Sequence, residues 1–289
     1  MQDPVSQWTI GLLWAVTTVF MAWTWIPAVR SALGKSRFVT HGDEETYDLD
    51  ANGRERDEPE YVDWHDQLTA LGFEPLGAGW LRVVDAGSRW MFQTNIRVFY
   101  SKSAQCYAML QKEAPPLDLW FSASFVTCMT DGGMVLTANF APPATVVHPM
   151  FISGGHNTLE LAELLTYHDA VVANERREYD RRPEAVPAME TLLKTTEEFF
   201  DHVGRHRFRK EGQKYITSEG LIHLSVSLPA WVAFGADHWS LPLTNLIIYG
   251  ALRLGEFAQN RTQAEQMKVQ IRAHAAARIA ARRAARDSQ

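Results

Sequence analysis

Cysteine is scarce: only Cys106 and Cys128 occur in 289 residues. They stand in separate strand-like runs, which gives neither a disulfide framework nor a zinc-ligand spacing. Buried, reduced thiols of this kind suit a cytoplasmic domain. The chain also lacks GxGxxG, GxxxxGK[ST], HExxH and GxSxG, so dinucleotide, phosphate-loop, metalloprotease and hydrolase chemistry have no motif to carry them. No nucleophile is paired with a base by spacing. The expectation is a non-enzyme with no cofactor. Finally, residues 1–7 contain Asp3 and no Lys or Arg, whereas a cleaved secretory leader needs a positive n-region.

Charge is missing altogether from residues 8–29, which include Trp8, Trp14, Trp23 and Trp25. As a helix this run is about 33 Å long, enough for a bilayer core of roughly 30 Å. It reads as a single-pass transmembrane anchor. Trp8 at one end and Trp23 and Trp25 at the other fit the interfacial belts. Arg30, Lys35 and Arg37 follow the run. Basic flanks are retained on the cytoplasmic side, so the N-terminus is expected outside a bacterial inner membrane and the bulk of the chain inside. Gly11, Ala15, Thr18 and Ala22 share one face of this helix. Small residues let another transmembrane helix approach closely.

The net charge of −6 conceals two opposed ends. Residues 43–63 hold ten acidic residues against two basic ones, too polar to bury a core, and read as a solvated tether. Residues 259–289 hold seven Lys or Arg against two acids, among them Arg278, Arg282 and Arg283, in an Ala-rich, helix-favouring context. A second basic cluster, Arg205, Arg207, Arg209 and Lys210, precedes the apolar segments 220–235 and 239–252. Each is too short to cross a bilayer alone, so 211–258 is either membrane-apposed or ordinary core. The basic residues are expected to meet anionic lipid headgroups or a partner. Nucleic acid is not expected, because no stacking aromatics interleave with the C-terminal arginines.

Between these ends the pattern is that of a globular unit. Helical periodicity over 62–71 is closed by Gly72. Strand-like runs follow at 80–84, 91–100, 105–110, 119–128 and 134–140, and Asp131-Gly132-Gly133 marks a hairpin between the last two. Two helices are then predicted, 158–174 capped by Asn157 and 184–203 opened by Pro183. The expected class is α+β: an N-terminal transmembrane helix, an antiparallel sheet of about five strands with helices on one face, and a basic C-terminal helix. The implied divisions are 1–37 anchor, 38–60 tether, 61–210 domain, 211–258 apolar segment and 259–289 basic helix.

His202 and His206 with Glu198, and His156 with Glu160 and Glu163, have helical spacing that suits a metal ion. The cationic surroundings of the first set and the missing third His of the second argue against one, and no metal is expected. His168, among leucines on an amphipathic helix, reads as a hydrogen-bonded core histidine.

The stretch HDQLTALGFEP at 65–75, followed by FVTCMTDGGMVLTANF at 125–140, resembles a core of uncharacterised bacterial membrane-anchored proteins. In these a helix ending in LGF precedes a meander whose last hairpin carries a DG turn and ends near TxN. The resemblance implies an architecture and no activity. The reading that unites these features is an accessory or scaffolding subunit of a larger inner-membrane complex, such as a photosynthetic or respiratory assembly, partnered by integral membrane proteins. A membrane-anchored lipid-binding or lipid-sensing domain is the alternative.

Overall fold

The computed structural model of the chain describes residues 8–17, 19, 29, 36–43, 58–85, 92–113, 120–184, 188–204, 213, 216–217 and 240–287. The chain divides into two units. One comprises residues 1–37, 85–90 and 205–264; the other comprises 38–84, 91–204 and 265–289. Of the first, the helical segment 8–17 and the first half of a long C-terminal helix are described.

The second unit is α+β, built on one mixed sheet. Its strands are β1 (Ser36–Asp43), β2 (Glu74–Asp85), β3 (Phe92–Ser101), β4 (Cys106–Glu113), β5 (Trp120–Cys128), β6 (Met134–Asn139), β7 (Thr145–His148) and β8 (Phe151–His156). They lie in the order β1-β2-β3-β4-β5-β6-β8-β7. The expected meander is present from β2 to β6, antiparallel throughout. The predicted hairpin turn is there too. Gly132 takes a φ of +82°, and the Asp131 carboxylate accepts the Gly133 N–H at 2.9 Å, the side-chain turn that Asp favours.

The five-strand expectation is corrected to eight strands with one parallel pair. After β6 the chain runs out to β7 and returns as β8, which slots between β7 and β6 and pairs parallel with β6. Two glycines make the insertion sterically possible. A Cβ on Gly155 would stand 1.7 Å from the Ala138 carbonyl oxygen, and one on Gly154 would stand 2.2 Å from the Ala144 Cα. The Gly155 N–H also donates to the Pro142 carbonyl at 2.7 Å.

Helices cover both faces of the sheet, not one. The reason lies in strand alternation. Phe99, Ala108 and Phe125 point to one face, against Tyr61, Trp64 and Leu68 of α1 (Pro59–Ala70) and Leu161 and Leu164 of α2 (Leu161–Tyr179). Val98, Tyr100, Tyr107, Met109 and Val126 point to the other, against Met189, Leu192 and Phe199 of α3 (Met189–Phe199). Strands apolar on both sides need a cover on both sides.

Several boundaries move for local reasons. The helix expected from 158 begins at Leu161, because Thr158 bends the chain by accepting the Glu160 N–H on its hydroxyl. The helix expected at Pro183 begins at Met189, because residues near Pro183 pair with β5's end: the Glu184 N–H donates to the Cys128 carbonyl at 2.8 Å. A π-helical turn, Phe200–Gly204, extends α3. The assigned tether loses both ends to structure, 36–43 forming β1 and Pro59 opening α1. Residues 44–57 lie outside the described set. The division at 258/259 falls inside one helix, α4 (Ser240–Asp287), about 72 Å long at 1.5 Å per residue.

Candidate functional site

Two features stand out, and each is built from a charge pattern. The first is the segment 8–17. Trp8 is 82% exposed, Leu12 66%, Val16 47% and the nearby Val19 66%. Spaced at four, four and three residues, they form one helical stripe. Gly11 and Ala15 are exposed as well, and with Trp8 and Leu12 they line an open groove of about 560 Å³. The polar Thr17, by contrast, turns inward and donates its hydroxyl to the Leu13 carbonyl at 2.8 Å. Thr18, Ala22, Trp23 and Trp25 of the assigned partner face and interfacial belt lie outside the described residues. Among the described residues no helix is long and apolar enough to cross a membrane.

The second feature joins α1 to the end of α4. Glu60 and Asp63 of α1 have side chains only 1% exposed. The Arg272 Nε donates to Glu60 at 2.8 Å. Asp63 accepts from Arg278 Nε at 3.2 Å and from Arg282 at 2.8 Å. Arg282 also reaches Asp66 at 2.9 Å. Glu160, at the start of α2, pairs with Arg278 and lies 3.1 Å from His274. Arg278 is held charged against the cost of burial by Glu160 and Asp63. Beneath these pairs Ile271 and Ala275 are buried, Ile271 in the cluster that holds Tyr61 and Trp64, with Met267 packed alongside. The buried Gln67 completes the frame, donating to Asp63 at 2.8 Å and accepting the Leu161 N–H at 2.9 Å.

Arg278 and Arg282, assigned to lipid or a partner, are thus engaged within the chain, while Arg283 stays exposed. Arg205, Arg207, Arg209 and Lys210 lie outside the described residues. Reading the sequence alone missed Glu60, Asp63, Asp66 and Glu160 as acceptors for the tail. The signal was available: acids at 60 and 63 sit one helical turn apart beside an apolar stripe, and arginines at 278 and 282 repeat at the same kind of spacing.

Among the described residues, several other ionisable groups in the interior are spent on the fold. His168 is fully buried and bridges the Thr127 hydroxyl at 2.8 Å and the Thr137 hydroxyl at 2.9 Å. Burial alone pushes its pKa down to about 3, so it is neutral, one ring nitrogen donating and the other accepting. This is the core histidine expected from its helix position. Lys112 on β4 pairs with Glu58 at 2.9 Å. Arg181 crosses from the end of α2 to Glu175 at 3.0 Å, to Asp131 at 2.8 Å and to the Met150 carbonyl at 2.8 Å. Both thiols are buried and unbridged, and burial lifts Cys128 to about 12, so neither is a ready nucleophile.

Of the two expected metal constellations, the described members His202, His156, Glu160 and Glu163 are engaged elsewhere. His202 stacks on His148 with ring centroids 5.2 Å apart, and His206 lies outside the described residues. His156 stacks on Tyr167, Glu163 accepts from Thr158, and Glu160 pairs with Arg278 and His274. Among the described residues no three His, Cys, Asp or Glu side chains converge on a metal position. No protein-family model, curated protein or solved structure matches the chain.

Proposed function

We propose that the protein is a non-enzymatic accessory or scaffolding subunit, anchored in a bacterial inner membrane through its N-terminal helix and presenting the sheet domain on the cytoplasmic side. The observation that carries this reading is the exposed stripe of Trp8, Leu12, Val16 and Val19 within a run that holds no charge. An apolar face of that kind is stable only against lipid or another apolar surface. The groove beside Gly11 and Ala15 supports a partner helix of an integral membrane protein. Support also comes from the interior, where His168, Lys112 and Arg181 each satisfy a neighbour in the fold. In this reading the cluster at 205–210, with Arg283, meets anionic headgroups.

Membrane fractionation of cells expressing the tagged full chain tests the anchor. The wild type is expected to stay with the membranes through alkaline carbonate. Val16→Asp with Val19→Asp is expected to release most of it, since each acid near a span's centre costs about 3 kcal/mol. Loss of the wild type to carbonate or to a salt wash overturns the anchor. Affinity purification in mild detergent tests the subunit role. An integral membrane protein is expected to accompany the wild type in stoichiometric amount, and Gly11→Leu with Ala15→Leu to lose it while remaining membrane-bound. A chain that elutes alone and monodisperse overturns the subunit reading.

A further inference from the structure

We propose that His148 and His202 form an acid-sensitive latch: the π-helical turn Phe200–Gly204 stays docked on the edge strand β7 while both imidazoles are neutral, and lifts when both are charged. The proposal is independent of the anchor and subunit reading, since both histidines lie in the sheet-bearing unit. Three rings carry it. His202 of the turn stacks on His148 of β7, with centroids 5.2 Å and planes 21° apart. Phe151 of β8 lies 5.5 Å from His148 and 6.0 Å from His202, and meets Phe199 at 5.6 Å. The two imidazoles thus lie against a phenyl ring that is only 1% exposed.

Imidazole is the side chain whose charge ordinarily changes between about pH 5 and 8. His202 is exposed and His148 half-buried, so protons reach the pair. Two consequences of protonation oppose docking. His148 accepts the Met150 N–H on Nδ1 at 3.3 Å, and an imidazolium, with a proton on each nitrogen, accepts nothing. Met150 is meanwhile held in place, its carbonyl accepting from Arg181 at 2.8 Å and from the Met134 N–H at 2.9 Å. The second consequence is repulsion between like charges stacked face to face. Neighbouring charges do not reverse the sign. β7 has no other titratable residue, and that of β8, His156, is at its far end against Tyr167. Glu197 is turned to the Thr40 hydroxyl at 3.4 Å. Asp201 and Glu198 are sequence neighbours of His202 whether or not the turn is docked, so what they add is common to both states. Arg181 adds positive charge beside Met150, although Glu175 and Asp131 pair with it. The turn is the last element of its unit before the chain passes to residues 205–264 of the other. The latch therefore governs where the chain leaves the sheet, and π-helical turns recur at functional positions of this kind.

Hydrogen exchange of the full-length chain in mild detergent, at pH 7.5 and 5.5 and corrected for the intrinsic effect of pH, tests the latch. Amides of residues 200–204 and of Met150 are expected to lose about tenfold more protection at pH 5.5 than those of β4 to β6, and to regain it at pH 7.5. The strands are the reference because the acid sensitivity of a buried histidine such as His168 reaches every amide that exchanges by global unfolding. His202→Phe keeps a ring in the stack, and His148→Asn keeps an acceptor for the Met150 N–H; neither titrates. Each is expected to abolish the excess loss. Should His202→Phe fail to fold, as lost β4 to β6 protection at pH 7.5 would show, His148→Asn at the sheet edge carries the test. Equal losses at the turn and in the strands of the wild type would overturn the latch. An excess that persists in His148→Asn would overturn it as well, because another group would then be sensing the acid.

Discussion

Replacing Gly155 by alanine is expected to leave the chain without a stable sheet at its β6–β8 junction. The added Cβ would sit 1.7 Å from the Ala138 carbonyl oxygen and 2.9 Å from the Ala141 side chain. The first of these is backbone in a strand that pairs on both sides, so neither partner has a rotamer with which to yield. Relief requires β8 to part from β6, which abandons the parallel ladder from Met134–Phe151 to Asn139–His156. Cost on this scale exceeds ordinary overpacking, about 1–3 kcal/mol, and falls among the exceptional values above about 4 kcal/mol. In a unit of this size that is roughly 10 °C or more in Tm, or loss of the folded protein. Gly132→Ala is the control. Its φ of +82° strains any side chain, but the Cβ meets only the end of Met150 at 3.5 Å, so about 1 kcal/mol is expected. Thermal unfolding by circular dichroism ranks the two. Equal shifts would mean that β6 and β8 yield around the added methyl, and would overturn close approach as the reason for Gly155.

The second large effect is acid sensitivity through His168. Its pKa is about 3 in the folded chain, because burial without a countercharge disfavours the imidazolium, against about 6.5 when unfolded. Between these values the unfolded chain binds a proton that the folded chain refuses. Stability is then complete above about pH 6.5 and falls as the pH drops toward 3. At about 1.36 kcal/mol per unit the full loss is of order 4–5 kcal/mol, half of it gone near pH 4.8. His168→Gln keeps a donor and an acceptor for Thr127 and Thr137 but does not titrate. At pH 7 the variant is expected to be less stable by about 1–3 kcal/mol from imperfect hydrogen bonding. Its disadvantage should shrink as the pH falls and vanish by about pH 5. Urea unfolding at pH 7, 6, 5 and 4.5 checks this. Parallel curves for the two chains would remove His168 as the cause.

What was readable in the residues divides by sequence distance. The hairpin at Asp131-Gly132-Gly133 was legible because turn chemistry is local, and β3 to β6 followed from alternation. His168 was legible because a polar residue on a leucine stripe must find partners inside. β7 and β8 were not. They are short, flanked by Pro142, Pro143 and Pro149, and β8 carries Gly154-Gly155, which reads as a breaker until the close approach of β6 is known. The second helix layer was hidden for a related reason. Tyr107 and Ala108 are both buried, and a run apolar on both sides has no period to show which face is covered. The pairing of α1 with α4 spans more than two hundred residues. Two oppositely charged stretches were visible from the start, but nothing local says that they meet each other and not water.

Slotting β8 between β7 and β6 also bears on how the protein is made. As the ribosome extends the chain, β6 emerges with one hydrogen-bonding edge bare. That edge closes only when β8 (Phe151–His156) has left the exit tunnel and folded back inside its own hairpin. At about 5–20 residues per second, the stretch from Asn139 to His156 leaves Met134, Val135 and Leu136 open for about 1–3 s. Nascent chains crowded on one messenger would present that bare edge to each other, which makes this interval the time at which a chaperone has most to protect.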